Sequence, residues 1–268
     1  MKVEIVKITP TVAAEMLEGN TNNRVISDPH VRYLTSEMKC GQWIDNGDPI
    51  RFNGATLLDG QHRLHAVIRS GVSISAVVIR GLSSEAFKTI DVGARNRTMG
   101  QVLQLDGEVN TTILGGAIRI VVDMRGDQAW KRSAVMLPPQ FFFDFLKNEP
   151  GIRDSVHFIV GLKYLKKIAG PTIAAGLHYL FSQIDEAKAK EFMEDLDTGL
   201  VHDRFDPVYV LRQRLIENQS KRTKMERTMM LAFFVKAWNA RFNGAQMKFL
   251  RWFDTESFPE IAGESELD

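Results

Sequence analysis

The stretch LLDGQHRLHAV, Leu57 to Val67, decides how the rest of the chain is read. It opens as an apolar run, breaks at Gly60, and then sets Gln61, His62, Arg63 and His65 in a segment of helical character. A strand that runs through a glycine into a helix aims the unpaired N–H groups of the first turn at one point, and that point favours an anion. Gly60 lets the backbone come close to a ligand. Arg63 is the residue type that grips phosphate oxygens with a planar fork, and His62 adds a donor whose charge changes near neutral pH. Together they predict a phosphate cradle different from the Walker loop, which the chain lacks. The alternative is an ordinary strand-to-helix turn with a solvated arginine and a capping glutamine.

On the N-terminal side, PIRFNGATLLDG carries the strongest hairpin signal, because Asn53-Gly54 supplies positive φ between two apolar runs. Before it, VEIVKIT alternates as a strand and TPTVAAEMLEG reads as a short helix stopped by Gly19. In ISDPHVRYLTSEMKCGQW, Asp28 is the expected N-cap with Pro29 at the first helical position, Val31, Leu34 and Met38 share a face, and Gly41 ends the helix. After the central stretch come the strand SISAVVIRG and a capped helix from Ser83 or Ser84 towards Ile90. Beyond Thr98 the apolar spacing is helical almost throughout, with proline and glycine at the joints. The pattern predicts an α+β fold: a small mixed unit over 1–97, an all-helical bundle over 98–252 packed beside it, and an acidic tail over 253–268.

A chain of 268 residues with 44% hydrophobic content has enough apolar material for a buried core in one large domain or two ordinary ones. The formal net charge of +1 conceals a basic stretch from Arg204 to Arg251 and an acidic end after Trp252, so the overall balance decides nothing about nucleic acid. The single cysteine, Cys40, excludes an intramolecular disulfide and a cysteine-based zinc cage, and points to a reducing compartment. MKVEIVKITP lacks the apolar core of a signal peptide and no apolar run is long enough to span a bilayer. The expectation is a cytoplasmic protein without a membrane partner.

The order of a helix ending in G-x-W, then Pro49-Ile50, a hairpin, Gly60-Gln61-His62-Arg63 and the strand VSISAVVI resembles the ParB/sulfiredoxin superfamily over about residues 1–97. There the central motif reads GERR in ParB-type partition proteins and GCHR in sulfiredoxins, and Asn22-Asn23-Arg24 is similar to the family's N-P-x-x-x-R segment. The chain also resembles the DGQHR subgroup found in phage proteins and regulators of DNA modification. The resemblance implies a ParB/sulfiredoxin-like domain that binds a nucleoside triphosphate, ATP or CTP, with the arginine motif on its phosphates. It implies phosphoryl transfer, triphosphate hydrolysis or a nuclease-like role in DNA transactions. Two departures limit it: Gln61 stands where sulfiredoxins have their nucleophilic cysteine, and no helix-turn-helix of the ParB type is recognisable after the domain.

Within that reading Gly60, Gln61, His62, Arg63 and Arg24 hold phosphate. Asp59 is a candidate base or metal carboxylate as well as half of an Asp-Gly turn, and Glu37, on the polar face of its helix, is a candidate general base as well as a solvated residue. His62 completes the candidate catalytic set by stabilising developing charge. The loop IDVGARNRTMG places Asp91, Arg95 and Arg97 where they close over phosphates, with Asp91 holding Mg²⁺, or where they form a solvated linker. Arg212, Arg214, Lys221, Arg222 and Lys224 are the candidate DNA-backbone contacts, against the reading of a solvated helix face. The remaining histidines lack metal-ligand spacing, so no zinc is expected. Three functions stay open: a nucleotide-binding enzyme, a non-catalytic DNA-binding or regulatory protein, and a partner-binding protein working through its helical half. Oligomeric state, including a homo-oligomer, is not fixed by the sequence.

Overall fold

The structure is a computed structural model that describes all residues except 22, 84, 87–89, 91–96, 127–136, 202, 222, 223 and 264–268. The chain is a mixed α/β protein with a small four-stranded sheet and many helices, and it divides into two compact units. Met1–Asn96 with Val135–Gln140 form the first, and Arg97–Ala134 with Phe141–Asp268 form the second. Among the described residues no helix is long and apolar enough to cross a membrane.

The first unit runs β1 (Lys2–Ile8), α1 (Pro10–Glu18), α2 (Asp28–Lys39), β2 (Ile50–Asn53), β3 (Thr56–Asp59), α3 (Gln61–Ser70) and β4 (Ile74–Arg80). The sheet order is β1-β4-β2-β3; β1/β4 and β2/β3 are antiparallel and β2/β4 parallel. Val31, Leu34 and Met38 of α2 and Leu64, Ala66 and Val67 of α3 bury their stripes with Ile50, Phe52, Leu57 and Val78 of the sheet. This is the core on which the candidate site stands.

Three local details differ from the sequence expectation. Ser27 is the N-cap of α2, so Asp28 lies in the first turn, where its charge suits the helix dipole. In the hairpin only Gly54 has positive φ, at 57°, and Asn53 stays in the strand. Of the expected helix from Ser83 to Ile90, the described part holds only a short 3₁₀ turn at Glu85 and Ala86; 84 and 87–89 lie outside the described residues.

The second unit contains α4 (Met99–Leu105), α5 (Thr111–Arg125), α6 (Pro139–Asn148), α7 (Ile152–Gly161), α8 (Leu165–Ile168), α9 (Pro171–Ile184), α10 (Glu186–Thr198), α11 (Pro207–Ser220) and α12 (Arg227–Phe242), with α6 beginning in the segment grouped with the first unit. At its centre Trp238 stacks on Phe181 at 4.3 Å and meets Phe192 edge-on at 5.7 Å. The stretch after Trp252 is not a free tail as far as residue 263. Ile261 is buried, and Asn239 of α12 donates to the Glu260 carbonyl and accepts from the Ala262 amide, both at 2.8 Å. Backbone hydrogen bonding and one apolar anchor outweigh the acidic composition that marked it as a tail.

Candidate functional site

β3 ends at Asp59, and Gly60 turns the chain at φ +105° into α3 as its N-cap residue. The turn has little room: a Cβ on Gly60 would lie 3.0 Å from Ile50 Cγ1 and 3.2 Å from Ile50 Cγ2. The Gly60 amide is taken by the Asp59 carboxylate at 2.7 Å, whereas the Gln61 and His62 amides have no hydrogen-bond partner among the described residues. Those two donors at a helix N-terminus are the part of the expected cradle the fold leaves open.

The side chains of the motif each find a different partner segment. Gln61 is only 4% exposed; its Nε2 donates to the Arg24 carbonyl at 2.9 Å and its Oε1 accepts from Asn20 Nδ2 at 3.2 Å. Asn23 Nδ2 donates to Asn20 Oδ1 at 2.6 Å and to the Leu57 carbonyl at 2.8 Å. Asn20, Asn23 and Arg24 are thereby fastened to β3 and α3, and the chain before them is held at Gly19, whose carbonyl accepts from the Leu57 amide at 2.9 Å. A Cβ on Gly19 would fall 2.0 Å from the Ala55 carbonyl oxygen, so glycine is required there. Asn22, quoted with Asn23 and Arg24 in the resemblance, lies outside the described residues.

Arg63 is also engaged within the fold. Its Nη1 donates to the Asp48 carbonyl and its Nη2 to the Pro49 carbonyl at 2.8 Å, and the side chain is 15% exposed. The expected phosphate fork therefore clamps the segment entering β2, beside a cavity of about 180 Å³ lined by Trp43, Asp45, Asn46 and Asp48. Asp59 pairs with Arg51 Nη1 and stands 3.8 Å from Arg63 Nη2. Arg51 was missed in the sequence reading, yet the hairpin gives the signal: it sits opposite Asp59 in the β2/β3 register.

His62 packs against the N-terminal end of α2. It is 8% exposed, its Nε2 accepts from the Ser27 amide at 3.1 Å, and its ring meets His30 edge-on at 5.2 Å. His30 stacks on Tyr33 at 6.1 Å, and the Tyr33 hydroxyl donates to Glu37 Oε1 at 2.8 Å. His30, Tyr33 and Glu37 follow an i, i+3, i+7 spacing on α2, so they form one polar edge that ends at the first turn of α3. Burial holds both histidines below the usual imidazole range, and the positive charge of Arg24 adds to it in each; for His62, His30 and His65 act the same way and Asp59 opposes. Burial pushes Glu37 upward against the opposing hydrogen bond from Tyr33, and burial with the Glu37 charge pushes the Tyr33 hydroxyl upward. Exposed Arg24 and two histidines discouraged from charging form a patch that gains from an added negative charge.

These shifts fix a sign. In the unfolded chain His30 and His62 take up protons near pH 6.5, whereas in the folded chain they resist, so the stability they permit is complete above 6.5 and is lost as the pH falls below it. His178 in the second unit, pushed down to about 4 by burial, carries the same sign between 6.5 and about 4. Urea midpoints are therefore expected to fall from pH 7.5 to 5.5, and His62→Asn is expected to flatten the slope. A midpoint independent of pH over that range contradicts the assignment.

Asp91 and Arg95 lie outside the described residues, and Arg97 is exposed just before Thr98, the N-cap of α4. In the basic region Arg212 Nε donates to the Leu196 carbonyl at 3.0 Å, and Lys224 Nζ to the Asn218 and Gln219 carbonyls at 3.3 and 2.6 Å. Both cations sit on carbonyls near helix C-termini, where the helix dipole favours them. Arg214 lies 5.8 Å from the Phe233 ring centroid and pairs with Glu217 at 3.4 Å. Lys221 is exposed at the end of α11, and Arg222 lies outside the described residues. The solvated-face reading thus gives way, for Arg212 and Lys224, to a capping role.

Among the described residues no group of three or more His, Cys, Asp or Glu is arranged to hold a metal ion. Comparison with known proteins found no family model, no curated protein and no solved structure that matches the chain.

Proposed function

We propose that the chain is a nucleotide-binding protein of the ParB/sulfiredoxin type acting in DNA transactions, with the phosphates of ATP or CTP at the first turn of α3. The observation that carries this reading is the left-handed Gly60 beside two open amides, with His62, His30 and Arg24 gathered at the same turn. Two backbone donors, a histidine and an arginine are the donor set that binds a phosphate without a Walker loop. Gln61 and Arg63 contribute by holding Asn20 and Arg24, and Asp48 and Pro49, in place. Mg²⁺ would arrive on the phosphates, since both Asp59 oxygens already have protein partners.

A second reading, binding without turnover, is favoured by one specific feature. Hydrolysis or phosphoryl transfer needs a group that accepts a proton or orients the nucleophile. Asp59 is engaged by Arg51 and the Gly60 amide, and Glu37 by Tyr33. Titration calorimetry with the four ribonucleoside triphosphates, with and without Mg²⁺, tests the binding; phosphate release separates the two readings. Saturable binding of at least one triphosphate is expected, and Arg24→Ala should weaken it about ten-fold by removing one charge-assisted contact. No binding by any of the four overturns the proposal. For the DNA part, charge reversal at Lys221 and Arg222 should weaken binding to unrelated duplexes alike and lower its salt dependence.

A further inference from the structure

β1 stands at one edge of the sheet and β3 at the other. The chain closes the β3 edge itself, because the Leu57 amide donates to the Gly19 carbonyl at 2.9 Å and the Leu57 carbonyl accepts from Asn23 Nδ2 at 2.8 Å. The β1 edge has no such cover: among the described residues its backbone hydrogen-bonds to β4 alone. An unpaired edge is a template for another strand, and chains commonly guard it with proline, a bulge, a very short strand or repelling charge. β1 runs for seven residues without proline and pairs with β4 without a register shift. The charges it carries, Lys2, Glu4 and Lys7, are of both signs.

Side chains alternate across the strand. Ile8 is completely buried with Ile50 and Val78 on the core face, whereas Val3 and Ile5, on the opposite face, are 56% and 80% exposed. The register sets Ile79 beside Val3 and Val77 beside Ile5, both half-buried. Four apolar side chains therefore form a block on the outer face of the sheet, directly at its open edge. An apolar block of this kind marks an interaction surface.

The charge pattern of the strand selects the occupant. We propose that β1 pairs with β1 of a second copy of this chain, antiparallel about a two-fold axis at Val3, so that the two sheets join edge to edge. A two-fold axis perpendicular to the sheet keeps outer face beside outer face, which requires one residue to stand opposite itself. With the axis at Lys2, Glu4 or Lys7, like charges meet. With the axis at Ile5 or Val6, charged residues meet apolar ones, Lys7 facing Val3 in the first case and Ile5 in the second. With the axis at Val3, Lys2 of each copy faces Glu4 of the other, Val3 faces Val3, and Ile5 faces Met1. Among axes through residues 2–7 this register alone sets opposite charges together and apolar residues together, and cross-strand pairs are what stabilise such a joint. Within one chain Lys2 Nζ lies 2.7 Å from Glu4 Oε2, but Lys2 is largely exposed, and a surface pair of that kind is exchanged for the intermolecular one at little cost.

Sedimentation velocity of the full chain over a roughly hundred-fold range of concentration tests this, since a self-associating chain shifts from monomer to dimer by mass action. A concentration-dependent dimer is expected. Lys2→Glu and Glu4→Lys should each weaken it at least ten-fold, because either change sets two like-charged pairs across the joint. Mixing the two variants should restore association, as a heterodimer in which residue 2 of each copy again faces an opposite charge at residue 4 of the other. Val3→Lys, which sets two lysines against each other on the axis, should weaken the dimer as strongly, and circular dichroism checks that each variant is folded. A parent chain that stays monomeric throughout, a dimer unchanged in all three variants, or a mixture that associates no better than its components would overturn the assignment. No nucleotide is needed in any arm.

Discussion

Gly60→Val should destabilise the first unit by about 3 kcal/mol, the sum of a left-handed backbone penalty of about 1–2 kcal/mol and overpacking of about 1–3 kcal/mol. The glycine sits at φ +105°, where a β-branched residue is strongly disfavoured, and a Cβ there already touches Ile50, which is itself completely buried. Relief by moving Ile50 would disturb the β2 position that pairs with Val78 of β4. Thermal unfolding should shift down by roughly 10 °C. Gly60→Ala, which keeps the backbone penalty but adds less bulk, should fall between the two proteins. A valine variant as stable as the parent would mean that the turn relaxes freely and that Gly60 is not the constraint shaping the first turn of α3.

Arg63→Ala should cost about 2 kcal/mol of stability, because two donors from a charged group to backbone carbonyls disappear together. The carbonyls of Asp48 and Pro49 lose their partner, and the chain entering β2 loses its tie to α3. Asp59 keeps Arg51, so no carboxylate is orphaned and the loss should stay below that of a fully broken buried ion pair. Arg63→Lys should recover part of the loss, since an ammonium cannot span two carbonyls with the same planar fork. A purely ligand-contacting arginine would leave the melting temperature unchanged and alter only nucleotide affinity. Joint measurement of unfolding and triphosphate binding in the same variants therefore separates a clamp from a phosphate contact. An unchanged melting temperature contradicts the clamp.

The basic region answers differently in different residues. In the sequence Arg212, Arg214 and Lys224 are equivalent candidates for DNA-backbone contact, but Arg212 and Lys224 close helix ends through carbonyls and Arg214 lies against an aromatic ring and a glutamate. Charge and spacing alone do not distinguish a cation that faces a partner from one that caps its own chain.

The features legible in the sequence are local. The alternation in residues 2–8, the Pro29 start of α2, a hairpin turning at Gly54 and the passage from β3 through Gly60 into α3 follow from periodicity and turn chemistry, which act over a few residues of backbone. The partner of each polar side chain, by contrast, depends on which distant segments folding brings together. Gln61 reaches Asn20 and Arg24, Arg63 reaches Asp48 and Pro49, and His62 reaches Ser27 and His30. Gln61, Arg63 and His62 are near neighbours in sequence and resemble one phosphate-binding set. Their roles separate because each buried polar group must find its own hydrogen-bond partner, and those partners come from segments that only folding brings alongside α3.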